Sequence, residues 1–188
     1  MKFILTPLRN NSLFNNIARF YKRIKIKYYY GLRNVHTSFN LGGSVSIHKS
    51  FKAGIYSYVG PGCIIYPEVS IGNYTMLAQN VQIIGDDHSY DIPGIPMIST
   101  PRPDIKSTVI GDDVWIGANS FIKTGVSIGD GVVVAFGSVV TKNLEPYGIY
   151  GGIPAKFIKS RFSNEQDRII HQEMLKSNKN HFKRAIIR

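Results

Sequence analysis

Counting in sixes from Val35 meets an aliphatic residue every time: Val35, Leu41, Ile47, Ala53, Val59, Ile65, Ile71, Leu77 and Ile83. After a break the spacing resumes at Ile110, Ile116, Ile122, Ile128, Val134 and Val140. A helix cannot hold this period, because a stripe repeating every six residues drifts off any face wound at 3.6 residues per turn. Hairpin sheets would show two-residue alternation and longer turn signals. Four places after each aliphatic comes a second small or apolar residue, among them Val45, Phe51, Ser57, Cys63, Thr75 and Val81, then Val114, Ser120, Val126, Val132, Ser138 and Leu144. The place immediately after is often Gly, as at Gly42, Gly54, Gly72 and Gly111, which suits a sharp bend. Six residues therefore read as one strand and one turn, and three such units close a triangular coil of eighteen. This is an all-β main domain, a parallel β-helix with the aliphatics stacked inside. Residues 35–85 supply about three coils and 110–145 about two, a column roughly 24 Å tall at about 4.8 Å per stacked strand.

The 188 residues suit one principal core. The reading divides them into a basic N-terminal segment over 1–34, the β-helix over 35–160 with a loop thrown out at 86–109, and a C-terminal segment over 161–188. That loop carries Pro93, Pro96, Pro101 and Pro103, and loops of this length inside a compact domain are usually functional or disordered. Ser12 followed by Leu13, Ile17, Tyr21 and Ile24 predicts an N-capped amphipathic helix with Arg19, Lys22, Arg23 and Lys25 on its other face. Ser163-Asn-Glu-Gln166 predicts a capping box opening a second helix through about Ser177. Helices at the two ends would cover the open ends of the stacked strands.

The net charge of +11 is uneven: the ends are basic and the middle is acidic, with residues 1–67 carrying no acid at all. Basic ends attract phosphate on nucleic acid, lipid or nucleotide, so charge alone does not choose among these. Basic residues clustered only at the ends, with few aromatics among them, argue against a nucleic-acid groove, Tyr28-Tyr-Tyr30 notwithstanding. One cysteine, Cys63, excludes an intrachain disulfide and fits a reducing compartment. Pro7 and Arg9 interrupt the first apolar stretch before it could serve as a signal core, and no run reaches the roughly 18 residues of a membrane span. The expectation is a cytoplasmic protein that can rest on the inner face of a membrane.

His88 lies at the base of the loop in Gly85-Asp-Asp-His-Ser-Tyr90. A neutral imidazole there could take a proton near pH 7, although a lone loop histidine is more often simply solvated. His36, His48, His171 and His181 have no spacing that gathers three imidazoles on a metal, so a zinc site is disfavoured and no metal is expected.

Four segments in order carry a family resemblance: Ile71-Gly-Asn with Asn80-Val-Gln-Ile-Ile-Gly-Asp-Asp-His88, then Val109-Ile-Gly-Asp-Asp-Val-Trp-Ile-Gly-Ala118, then Ala135-Phe-Gly-Ser-Val-Val-Thr-Lys142, then Tyr150-Gly-Gly-Ile-Pro-Ala-Lys156. Over about 35–160 the chain resembles the hexapeptide-repeat acetyltransferases, whose β-helix is left-handed. Within them it is most similar to the galactoside, maltose and xenobiotic acetyltransferases and to the polysaccharide O-acetyltransferases. The resemblance implies His88 as general base and acetyl-CoA as co-substrate lying along the column. It further implies the Ala118 amide as oxyanion donor, where several relatives have Ser, and a place for Trp115 beside the histidine and the pantetheine arm. It puts coenzyme A past Phe136 and Thr141 toward Lys142, Lys156 and Lys159, with Lys where relatives often carry Arg.

In the galactoside branch a carboxylate on an earlier coil grips the sugar. Here Ile65-Tyr-Pro-Glu68 occupies that region, leaving Glu68 as a substitute. Asp86, Asp87 and Asp91 are candidates to orient His88 or bind acceptor hydroxyls. The resemblance also implies a homotrimer with sites between neighbouring columns. The favoured function is O-acetylation of a sugar in a cell-surface polysaccharide or its precursor, with the basic N-terminal helix at the membrane. The alternatives are acetylation of an antibiotic or amino sugar, and a non-catalytic scaffold.

Overall fold

The computed structural model describes residues 21, 24–86 and 88–177. The basic helix expected from Ser12 lies outside these residues apart from Tyr21, Ile24 and Lys25. Asp87 lies outside them as well.

Strands of two or three residues wind into a parallel β-helix with three faces. The first face stacks Asn34–Val35, Lys52–Ala53, Val69–Ile71, Thr108–Ile110 and Ser127–Ile128. The second stacks Asn40–Leu41, Tyr58–Val59, Met76–Leu77, Trp115–Ile116, Val133–Val134 and Gly148–Gly151, with Lys156–Ser160 added antiparallel at the end. The third stacks Ser46–Ile47, Ile64–Ile65, Gln82–Ile84, Phe121–Lys123 and Val139–Val140. Three coils precede the loop and two complete coils follow it. Ala53 pairs with Ile71 at an offset of 18 residues and Ile71 with Ile110 at 39, so the excursion adds 21 residues without disturbing the register.

The two-residue strands place their first residue outward and their second inward, and Val69–Ile71 and Thr108–Ile110 add a buried residue before that pair. The inward set from Ala53 to Val140 is buried throughout, and each buried Val or Ile contributes about 1.5–3 kcal/mol of hydrophobic stabilisation. Inward corner positions are equally dry, including Ser57, Thr75, Ser120 and Ser138 at 0 % exposure. Their hydroxyls donate to turn carbonyls: Ser57 to Gly54 at 2.7 Å, Thr75 to Gly111 at 2.6 Å and Ser138 to Ala135 at 2.6 Å. A buried hydroxyl is tolerated because the turn itself supplies the acceptor. Burial pushes the Cys63 thiol up, as expected for a structural rather than reactive cysteine.

The dipeptide after the aliphatic has a specific job at the corner between the first and second faces. Asp112 Oδ1 accepts from the Asn73 amide at 2.7 Å, and Asp130 Oδ1 accepts from the Asp112 amide at 2.7 Å, tying each coil to the next. A Cβ on Gly72 would sit 2.2 Å from Asp112 Oδ1, and one on Gly111 would sit 2.3 Å from Asp130 Oδ1. Glycine at 72 and 111 is therefore the space that the bonded side chain of the following coil requires.

The structure departs from the sequence reading in three places. Leu144 pairs with Ile128, 16 residues back, so the last corner is two residues short and Leu144 takes a strand position rather than a corner. The C-terminal helix spans Glu165–Ser177, and its cap is Asn164, not Ser163: Asn164 Oδ1 accepts from the Asp167 amide at 2.8 Å. That helix does not lid the column; it lies along the corner between the first and second faces, where His171 Nε2 and Arg161 both meet Asp113 Oδ2 at 2.8 Å. Asp113 sits at a left-handed corner with φ of 53°, and its carboxylate meets Arg161 and His171 beside the coils. At the other end Ile26 and Leu32 join the core.

Ile116 is fully buried at the centre of the column. Ile116→Ala is expected to destabilise by about 2–5 kcal/mol, read as a lower urea midpoint with an unchanged slope.

Candidate functional site

The long loop leaves the column at the corner between the third and first faces. His88 is exposed there and makes no hydrogen bond with a described residue. The loop is closed on itself near its base. The Ser89 amide donates to the Pro101 carbonyl at 3.2 Å. The buried Thr100 hydroxyl lies 2.6 Å from the Ser89 carbonyl and 2.7 Å from that of Met97. The outgoing and returning segments are thus clasped one residue beyond His88 and one residue before Arg102.

Beside the clasp is a cleft of about 320 Å3 lined by Tyr66, Pro67, Gly85, Asp86, Arg102, Pro103 and Ile105. Asp86 has a left-handed φ of 57°. Its Oδ2 accepts from the Thr124 hydroxyl at 2.8 Å, and Oδ1 lies 3.9 Å from the Lys123 ammonium. Asp86 is therefore committed to the coil beneath it and not to His88. Glu68 occupies the equivalent corner one coil earlier, as the Ile65–Ile83 pairing shows, and is exposed next to the lining residue Pro67. Asp91 is exposed further out in the loop, and Asp87 lies outside the described residues.

The other candidates stand elsewhere on the chain. Ala118 and Phe136 stack one coil apart at the corner between the second and third faces, where the Gly137 amide donates to the Ala118 carbonyl at 2.8 Å. The Ala118 amide bonds no described acceptor, so it is free to donate. Phe136 is 82 % exposed. The segment after the last strand of the second face passes under this same corner, with the Val139 amide on the Gly152 carbonyl and the Ala155 amide on the Val139 carbonyl. Lys156 and Lys159, both exposed, lie on the antiparallel strand at the end of the second face, opposite Gly151 and Ile149. Trp115 faces outward on the second face between Met76 and Val133. Thr141 and Lys142 are exposed at the loop's corner, two coils beyond His88.

Within one chain, then, the imidazole stands at one edge of the third face and the free Ala118 amide at the other. The intervening stretch is about 20 Å of extended chain. Arg102 and Tyr66 are the cleft residues that sequence reasoning missed. The signal was present for Arg102, the sole arginine between Arg33 and Arg161, set between Pro101 and Pro103. For Tyr66 there was none, because an outward aromatic at a corner looks like any other. Among the described residues no three His, Cys, Asp or Glu side chains gather as metal ligands.

The family model described as bacterial transferase hexapeptide (six repeats) matches residues 107–142. A probable macrolide acetyltransferase of Lysinibacillus sphaericus is 40% identical over 126 residues, 59% of this chain and 67% of that protein. The lipopolysaccharide biosynthesis O-acetyl transferase WbbJ of Escherichia coli (strain K12) is 31% identical over 142 residues, 62% of this chain and 72% of its own. Matches to chloramphenicol acetyltransferases span under a third of those relatives. Among solved structures, a maltose O-acetyltransferase from Clostridium difficile 630 superposes with a TM-score of 0.58 at 25% identity, over 84% of this chain and 89% of that one.

The loop clasp is open to test. Thr100→Val removes the donor to the Ser89 carbonyl, a loss of about 1 kcal/mol. Amide exchange across residues 88–101 is expected to quicken by up to roughly tenfold, with the column itself unchanged.

Proposed function

The chain belongs to the hexapeptide-repeat acetyltransferases, and from that premise we propose that it transfers acetyl from acetyl-CoA to a sugar hydroxyl of a cell-surface polysaccharide or its precursor, with His88 as base. The observation that carries the mechanism is His88 itself, exposed at the base of a clasped loop and without a hydrogen bond to any described residue. The acceptor oxygen loses its proton to the imidazole as it attacks the thioester carbonyl. The tetrahedral oxyanion is held by the Ala118 N–H, and collapse expels the coenzyme A thiolate, which recovers the proton from the imidazolium.

The two edges of the third face supply different halves of this machinery. Ala118, Phe136 and the lysines at 156 and 159 form a groove suited to a pantetheine arm ending on phosphates, whereas His88 lies at the far edge. A cyclic trimer that sets the loop edge of one copy against the groove edge of the next would complete the site. Thr141 and Lys142 lie on the loop edge, so they would reach coenzyme A across that junction. The sugar acceptor draws support from WbbJ and from the maltose O-acetyltransferase. The macrolide relative favours a second reading, a hydroxylated antibiotic as acceptor.

His88→Ala is expected to lower acetyl transfer by about 10²–10⁴ while acetyl-CoA binding persists, followed by thiol release with sugar and macrolide acceptors side by side. Unchanged turnover would remove His88 from the mechanism, and transfer to macrolides alone would select the second reading. Sedimentation at the mass of three chains is the expected result for the assembly, and a single-chain mass would refute it.

A further inference from the structure

The cleft at the base of the loop, whose lining residue Asp86 stands two positions before His88 in the chain, has a chemistry that narrows the acceptor. Its volume of about 320 Å3 lies at the low end of the roughly 300–1,000 Å3 range of ligand pockets, room for about one sugar ring. Tyr66, Pro67, Pro103 and Ile105 furnish apolar walls for the C–H faces of such a ring. Two lining residues carry charge, Asp86 and Arg102. Asp86 is already satisfied by the Thr124 hydroxyl and the Lys123 ammonium, whereas Arg102 makes no ion pair or hydrogen bond with a described residue. Asp104, two residues on, is not part of the lining.

The backbone holds Arg102 ready. Pro101 and Pro103 each fix their own φ, and a residue before proline is confined to extended conformations. Pro101 is in turn pinned by its carbonyl to the Ser89 amide. A guanidinium presented this way offers a bidentate fork for a carboxylate or phosphate, while a neutral sugar gives it nothing it lacks in water.

We propose that the cleft is the acceptor subsite and that Arg102 makes it selective for an anionic sugar, held by its carboxylate or phosphate with a hydroxyl toward His88. This rests on the acetyl-transfer reading above and adds the acceptor's charge. The sequence and the loop geometry together locate the determinant in the loop, outside the repeats that build the column.

The test is equilibrium binding to the full chain of methyl glucuronide, glucose 1-phosphate and methyl glucoside, which differ in the charged group they carry. One or both anionic sugars are expected to bind at least about tenfold more tightly than the glucoside. Their difference identifies the group preferred. Arg102→Gln should abolish the preference and Arg102→Lys should retain part of it. Equal binding of all three sugars, binding of none, or a preference that survives Arg102→Gln overturns the proposal. Acetyl transfer scored in parallel separates the two readings. An Arg102-dependent preference without transfer supports the subsite and sinks the sugar-acetylation function, and transfer without the preference does the reverse.

Discussion

Each coil is held to its neighbours by a parallel hydrogen-bond ladder whose register cannot change by a single residue. A slip of one would turn every inward aliphatic to solvent and every outward polar residue into the core. The ladder runs at an offset of 18 from Asn34 to Val140 except where the loop raises it to 39, and it shortens to 16 in the last coil. Everything functional depends on this, because a site on a β-helix is an alignment of corners and faces. Ala118 stands over Phe136 only because their coils are in register. The inner hydroxyls and the Asn73–Asp112–Asp130 chain reinforce the same spacing from inside and outside the column.

The column also separates what it positions. Three edges run its length, and the chain uses each differently. One carries the carboxylates that tie coil to coil and, at Asp113, receives Arg161 and His171 from the C-terminal segment. Burial is the leading cause that raises the Tyr147 hydroxyl there, followed by the Asp130 charge, in keeping with a packing role under Phe162 and His171. The second edge carries the free Ala118 amide and exposed Phe136. The third carries the loop. Chemistry that needs both the loop and the groove is set at opposite sides of one face, which gives a physical motive for assembly.

Between the first strand and Val140 the loop is the element that escapes the repeat. The ladder tolerates the insertion because the strands before and after it resume pairing as though nothing intervened. Freed from the period of six, the loop can hold prolines, which lack the N–H that a strand ladder needs, and it carries His88 and Arg102 among them. Its clasp between Ser89 and Thr100–Pro101 turns a long excursion into a defined wall.

By itself the sequence determined the architecture: the six-residue period, the glycines that follow the aliphatics and the interruption after Ile83 specify a β-helix, its coil count and the point where the loop emerges. These were legible because a repeat states the same local rule many times, and each repetition is an independent instance of it. The motifs also marked out His88, Ala118, Phe136 and the lysines as candidates. What only the tertiary structure decided were relations between residues far apart in the chain. Asp86 is spent on Thr124, 38 residues on; Asp113 is claimed by His171 across 58; Arg102 and Tyr66 line one cleft. The shortened last corner at Leu144 and the cap at Asn164 were also settled there. A contact between distant segments depends on which corner each segment reaches, and that follows from the winding of the whole column rather than from any local pattern.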